Sequence, residues 1–456
     1  MTTLAERVDR IAAAEESARA EALRRIKADS LRWVRLCMPD LHGVLRAKIV
    51  PASRFAEVAR DGHPWGARLL VVDLREQLDP DTEYPYVYRQ GNCQVLPDCR
   101  TFKPLPWVSD TAMVICDPYF VDGTPAVAPR LALMGALEQA AALGLRPVFG
   151  SELEFVIYRR DGDTLHPLTE PQHFFSIQGL TRAAPVLKPL FDHLVAMEFP
   201  VQDIENEGGL GQFELNCAPG EGLLGIDNLV MIKAAIKEIL LQNGFEATFM
   251  TKADNAAETN TNGYHLHQSL LDGDGTNLFF DSDAPDGLSL LLRHYVAGQL
   301  AHAPALTVLG APTITGYKRY QPGTWAPNSS CWGFDDRRAL LRVPPERGHS
   351  TRIETRIAEA AANPYLLSAG SLLAGLDGIS RRLEPGPLIG DAALPSSSAL
   401  PATLEAGLAA LQADTVLCHA LGPELARMYG GALRSALRRF RSHVTDWEIA
   451  EYREMV

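Results

Sequence analysis

Two glutamates, Glu152 and Glu154, stand two residues apart in a mostly apolar run that reaches from Leu143 to Tyr158 and includes Gly150-Ser151-Glu152-Leu153-Glu154-Phe155. Its composition predicts a β-strand, in which residues two apart share a face. Glu152 and Glu154 then aim side by side at one space, while Leu153, Phe155 and Ile157 face a core. Paired carboxylates on such a strand repel each other and resist desolvation. Two arrangements relieve the cost. Either the face is half exposed and solvated, or a divalent cation sits between the acids, hard cations such as Mg²⁺ favouring oxygen ligands.

The 456 residues suffice for two or three domains, and the 46% apolar fraction supplies a large core. A formal charge of −13 argues against nucleic acid or an anionic membrane as partner. The first thirty residues are charged and lack the apolar centre of a signal peptide. No run of about 18 apolar residues offers a membrane span. Seven cysteines (Cys37, Cys93, Cys99, Cys116, Cys217, Cys331 and Cys418) are scattered without a CxxC pair. They read as free thiols of a reducing cytoplasm.

Residues 1–30 pattern as one amphipathic helix, with Leu4, Val8, Ile11 and Ala12 on one side. Leu31–Cys37 and Val44–Val50 read as strands joined by the turn Pro39-Asp40-Leu41-His42-Gly43. Short strands are expected through VVDL, VLPD and MVICD, and a turn-rich junction near 118–130 marks a domain boundary. Beyond it, helices are expected over Leu131–Leu143, Leu187–Met197, Leu229–Asn243, Leu288–Ala301 and Leu366–Ile379. Strands are expected over Ala247–Lys252 and over Gly263–Leu270, where His265 and His267 share a face. Asp272-Gly273-Asp274-Gly275 lacks the later ligands of a calcium loop and reads as a hairpin turn. Ser396-Ser397-Ser398 reads as loop, and the C-terminus as mostly helical.

Four further patches carry unusual polar residues. Glu207-Gly208-Gly209-Leu210-Gly211-Gln212-Phe213-Glu214 has a carboxylate at each end of a glycine-rich turn, and no GKS or GKT makes it a Walker loop. The others are Asn262 to His267, the basic run Arg337 to Arg342, and Arg352-Ile353-Glu354-Thr355-Arg356, which alternates strand-fashion. Singly, each reads as readily as a solvated face or a satisfied histidine. Together with Glu152 and Glu154 they supply the carboxylates, imidazoles and arginines of two oxygen-rich cation sites with phosphate clamps.

In order and spacing, the motifs DLHGVLRAK, VLPD, GSELEF, GLGQFELN, GYHLHQSL, RRALLRVP and RIETRIAEAAANPYLLSAGSLLAGLDGI resemble the glutamine synthetase superfamily over nearly the whole chain. The resemblance implies an α+β fold, with a small N-terminal β-grasp domain at residues 1–118 and a larger catalytic domain, built on an antiparallel sheet and helices, at 119–456. It implies a dodecamer of two stacked hexameric rings, with active sites between neighbours. One Mg²⁺ or Mn²⁺ site then matches Glu154, Glu207 and Glu214, and the other Glu152, His265 and Glu354. Arg319 matches the residue holding the glutamate α-carboxylate, and Arg337 the arginine on the transferring phosphoryl group. Arg342 and Arg356 match its phosphate and glutamate partners, Asn260 matches an asparagine lining the glutamate pocket although the glycine beside it is Thr261 here, and Ser269 lies near the nucleotide base.

Two further departures from the family pattern matter most. The acid expected five residues before the proline of VLPD is Asn92, and the acid of the flap loop is Trp325, in Thr324-Trp325-Ala326-Pro327. Both acids of an ammonium pocket are replaced, while the apparatus for phosphorylating glutamate with ATP is retained. The expected activity is therefore ligation of glutamate through a γ-glutamyl phosphate to an amine other than ammonia, as in the γ-glutamylpolyamine synthetases: an alkylamine, aromatic amine, polyamine or amino alcohol. Glutamine synthesis from ammonium, and a non-catalytic sensor of glutamate or nucleotide, are the alternatives. The family's adenylylation motif is missing around Glu384–Asp391. No such regulation is expected.

Overall fold

The computed structural model describes residues 4–79, 91–170, 174–253, 261–321, 324–389 and 399–456, with side chains described from residue 15 onward. Ser396-Ser397-Ser398, the end of the Glu384–Asp391 stretch, Asn260, and the side chains of Leu4, Val8, Ile11 and Ala12 lie outside the described residues. Helix α1 (Leu4–Ala28) leads into a sheet built from β1 (Trp33–Pro39), β2 (Leu45–Pro51), β3 (His63–Gly66), β4 (Asn92–Pro97), β5 (Lys103–Pro104) and β6 (Thr111–Tyr119), with the short helix α2 (Phe55–Asp61) between β2 and β3. The path is β2-β1-β6-β4-β3, with β5 on β6 and β1 parallel to β6. Strands β1 and β2 form the expected hairpin, and Asp40 Oδ1 accepts the backbone N–H groups of His42 and Val44 inside its turn. Val71–Leu74, expected as a strand, is not one. Asp73 Oδ1 accepts from the backbone N–H groups of Arg75 and Gln77, a local turn that competes with a ladder.

The second sheet carries the chemistry. It comprises, with its helices in chain order, α3 (Pro129–Ala142), β7 (Arg146–Asp161), β8 (Thr164–Pro167), α4 (Ile177–Ala196), β9 (Val201–Asn206), β10 (Gln212–Glu221), α5 (Gly222–Gln242), β11 (Phe245–Thr248), β12 (Gly263–Leu271), α6 (Leu290–Ala301), α7 (Ala303–Gly310), β13 (Trp332–Phe334), β14 (Leu341–Val343), β15 (Ile353–Glu359) and α8 (Pro364–Arg381). The path is β13-β14-β15-β12-β7-β10-β9, with β8 and β11 on the distal half of β7. All its pairs are antiparallel except β13–β14. β7 alternates as expected: Leu153, Phe155 and Ile157 are buried in the core, where α5 packs on β7 and β10. Helices α9 (Leu404–Ala413), α10 (Thr415–Leu421), α11 (Pro423–Arg441) and α12 (Asp446–Tyr452) close the chain.

Three boundaries differ most from the sequence expectation. Helix α4 starts ten residues before Leu187: Ser176 caps it by accepting the Gly179 N–H, and Pro185 and Pro189 lie inside. An interior proline removes one helical hydrogen bond. Burial of Ala183, Val186, Leu187, Leu190 and Leu194 outweighs that loss. Helix α5 reaches back to Gly222. Strand β11 stops at Thr248, whose Oγ1 accepts the Met250 N–H and turns the chain before Lys252.

One fully buried ion cluster joins the two sheets. Arg130 of α3 donates to Asp117 of β6 at 2.6 Å, to Asp98 at 2.8 Å, and to Asp227 of α5 at 2.8 and 2.7 Å. Tyr365 of α8 donates its hydroxyl to the same Asp227. A second junction ties helices together. His302, between α6 and α7, places Nδ1 2.5 Å from Asp414 at the start of α10 and Nε2 3.1 Å from Asp377 of α8. All seven cysteines are free, and no helix among the described residues is long and apolar enough to cross a membrane.

Candidate active site

Register alone assembles the site. Across β10 and β7, Glu214 pairs with Glu154 and Asn216 with Glu152. Across β12 and β7, His265 pairs with Glu152 and His267 with Gly150. On β15, Glu354 lies opposite His267 on one side and Arg342 of β14 on the other. Glu205 of β9 pairs with Glu214. Because each strand alternates, these side chains share one face of the sheet. Gly150 keeps room for its neighbour, since a Cβ there would lie 3.3 Å from the Cβ of His267. At Gly263 a Cβ would lie 2.5 Å from Nη2 of Arg319 and 3.0 Å from Oε1 of Glu154, so any side chain there would displace the ends of both. A cavity of about 670 Å³ opens over the Glu152 end of this face, lined by Glu152, Asp203, Asn216, His267, Ser269 and Arg352 among others.

The acids fall into groups whose donor atoms lie within 4.8 Å of one another: Glu152, Glu214 and His265; Glu152, His267 and Glu354; Glu205, Glu207 and Glu214. None of these groups is an expected triad: Glu354 groups with Glu152 through His267 instead of His265, and Glu154, absent from all three, is held by protein donors. Its Oε2 accepts from the Gly263 N–H and from Gln212 Nε2, both at 2.9 Å. Three residues were not assigned from the sequence. Glu205 stands two before Glu207, Gln212 two before Glu214, and His267 two after His265; in each case the strand period was the available signal. Arg352 Nε donates to His267 Nδ1 at 3.2 Å. That leaves the proton of His267 on Nε2, 2.7 Å from Glu152 Oε1.

The electrostatics describe a cluster short of positive charge. Burial pushes the Glu214 carboxyl up, and Glu154, Glu152, Glu207 and Glu205 push it further, to about 10. Burial also carries Glu154 to about 7 despite Arg319, and raises Glu207. Glu152 goes the other way: burial would raise it, but the hydrogen bonds from His265 and His267 hold it far below the carboxylate range. Burial and Arg356 lower His265 to about 4, so its imidazole is neutral and can act as a ligand. Carboxylates with neutral imidazole, crowded until some keep their protons, are a donor set that fits hard divalent cations.

Arginines rim the acids. Arg342 donates to Glu354 Oε2 at 2.6 Å, and Arg356 donates to the other oxygen of the same carboxylate. Arg319, 4% exposed, donates to the carbonyls of Ala358 at 2.6 Å and Arg356 at 3.2 Å, and its Nη2 lies 3.4 Å from His265 Nε2. Arg337 is exposed, and its guanidinium lies 5.8 Å from the ring centre of Trp325. Trp325 is itself 68% exposed on the loop that begins at Thr324. Asn92 is set apart: it opens β4 opposite Gly66 in the other sheet, is exposed, and does not line the cavity.

Fold and site together define a known class of enzyme. Residues 126–452 match the model of the glutamine synthetase catalytic domain, and the chain belongs to the glutamine synthetase family. It is an ATP-dependent carbon–nitrogen ligase of that family, which uses a divalent metal. It is 34% identical over 440 residues to the γ-glutamylethanolamide synthetase GlnA4 of Streptomyces coelicolor, covering 93% of each chain. It is 32% identical to the glutamine synthetase of Thermotoga maritima over 95% of this chain and 99% of that one. Among solved structures, ligand-free GmaS superposes with a TM-score of 0.84 at 28% identity, over 95% of this chain and 99% of the other. The whole is the mixed α+β fold of the family.

Proposed function

We propose that this protein joins the γ-carboxyl of glutamate to an amine larger than ammonia, an alkylamine, aromatic amine, polyamine or amino alcohol, with ATP cleaved to ADP and phosphate. Trp325 carries the reading. It stands where the family keeps an acid for ammonium, it is an exposed indole, and it adjoins the arginine matched to the phosphoryl group. A bare indole wall excludes water and offers ammonium neither a counter-charge nor a base. The similarity to relatives named as amide synthetases supports the same choice.

In this reading Glu154, Glu207 and Glu214 hold one Mg²⁺ or Mn²⁺ ion, and Glu152, His265 and Glu354 the other. When bound, the two ions neutralise the charge of the transferring phosphoryl group. Arg319 and Arg356 orient glutamate with Asn260, and Arg337 and Arg342 draw charge from the phosphoryl oxygens. Ser269 approaches the nucleotide base. A γ-carboxylate oxygen bonds to the terminal phosphorus as the bond to ADP breaks; the amine nitrogen then bonds to the γ-carbon, phosphate leaves, and the amine gives up a proton. Residues 1–118 form the β-grasp domain and 119–456 the catalytic domain. The assembly is a cytoplasmic dodecamer of two hexameric rings, in which Asn92 of one subunit faces Trp325 of the next.

ADP release tests this, with glutamate and a panel of ammonium, ethanolamine, isopropylamine, putrescine and aniline. At least one organic amine is expected to exceed ammonium in kcat/KM. A preference for ammonium returns the chain to glutamine synthesis, and binding without turnover returns it to a sensor.

A further inference from the structure

We propose that Trp325 is a positioning residue for Arg337 as well as a wall for the amine: its indole seats the guanidinium that serves phosphoryl transfer. The inference rests on the ligase reading above. It starts from a contrast among the arginines. Arg342 and Arg356 are each pinned to Glu354, and Arg319 is held by two backbone carbonyls. The guanidinium of Arg337 has no carboxylate within ion-pair distance among the described residues, and it is exposed. Its side chain meets the face of Trp325, at 5.8 Å from the ring centre. An arginine without an ion pair samples many rotamers, and an aromatic face restricts them while leaving all five N–H donors free for phosphate oxygens.

The loop that presents the indole is anchored on both sides. Thr324 Oγ1 lies 2.7 Å from the carbonyl oxygen of Arg319, the arginine matched to glutamate. Beyond the indole, Pro327 is buried, the Asn328 carbonyl accepts from Leu400 at 3.0 Å, and Ser330 Oγ donates to Leu300 at 2.9 Å. Trp325 thus stands between a hydrogen bond to the Arg319 carbonyl on one side and the contact with Arg337 on the other. It also follows that one face of the ring is taken, so the amine meets the other face or the edge.

The test compares Trp325→Phe with Trp325→Leu, which keep an aromatic face and an apolar bulk respectively. Turnover is measured with the best amine and with hydroxylamine, a small nucleophile that needs no wall. Trp325→Leu is expected to have a kcat about twofold to thirtyfold below that of Trp325→Phe with both acceptors. Phenylglyoxal modification of Arg337, mapped by peptide mass, should quicken in the Leu variant and not in the Phe variant. Equal kcat values for the two variants, or a loss confined to KM for the large amine, overturns the seat and leaves only a wall. If the parent prefers ammonium, the amine reading falls, and the Phe–Leu comparison with hydroxylamine still decides the seat. A parent without turnover removes both.

Discussion

At the scale of single residues, the site is a cluster of acids waiting for charge. In the metal-free protein the Glu214 carboxyl, pushed up to about 10, keeps its proton at neutral pH. Glu214→Gln imitates that neutral form. Its melting temperature in EDTA is therefore expected to equal or exceed the parent's, while the rise on adding Mn²⁺ shrinks and activity falls at least about a hundredfold, a loss typical of removing a group that acts on the transition state. Differential scanning fluorimetry with and without Mn²⁺ reads both halves; a full Mn²⁺ shift in the variant would sink the ligand assignment. The acceptor pocket gives a second expectation. Trp325→Glu with Asn92→Asp should move the ratio of kcat/KM for amine over ammonium towards ammonium by about tenfold to a hundredfold, the worth of an aromatic contact surface. Initial rates with both acceptors check it, and an unchanged ratio refutes the pocket. Much at this scale was legible, because Glu152, Glu154, Glu214, His265 and Glu354 follow the two-residue period of strands. The grip on Glu154 was not: the strand period puts Gln212 on the face, but only the fold brings it and the Gly263 N–H onto that carboxylate.

Elements show where local patterns stop being informative. The strands of the active sheet were readable from alternation, whereas α4 hid behind two prolines that its buried stripe overrides. Nor could any window of sequence have paired His302 with Asp377 and Asp414 across three helices. Burial would lower the pKa of His302, but the hydrogen bonds to Asp414 and Asp377 outweigh it and raise the pKa. A folded pKa above the unfolded one means stability that is complete below about pH 6.5 and lost as pH climbs through the raised value. His302→Gln should therefore cost more melting temperature at pH 6 than at pH 9. Equal losses at the two pH values would show that the imidazolium contributes nothing.

For the whole molecule, the fold class was legible from motif order, but the joint between the sheets was not. Asp98, Asp117, Arg130 and Asp227 span about a quarter of the chain and form no pattern until folded. Arg130→Ala removes the buried cation that Asp98, Asp117 and Asp227 share and should cost about 3–5 kcal/mol, read by urea unfolding; a loss under about 1 kcal/mol would mean that water or another cation substitutes. Assembly is checked by light scattering at the mass of twelve chains, and a fully active monomer would exclude shared sites. The same arginine also governs how the molecule can be taken apart. A cut between Tyr119 and Pro129 sends Asp98 and Asp117 one way and Arg130 with Asp227 the other, so the two buried ion pairs of Arg130 that cross the junction are severed. The two pieces are poor candidates for modular exchange between relatives: a chimera joined there needs its donor to bring the matching acids, however well its surface loops agree.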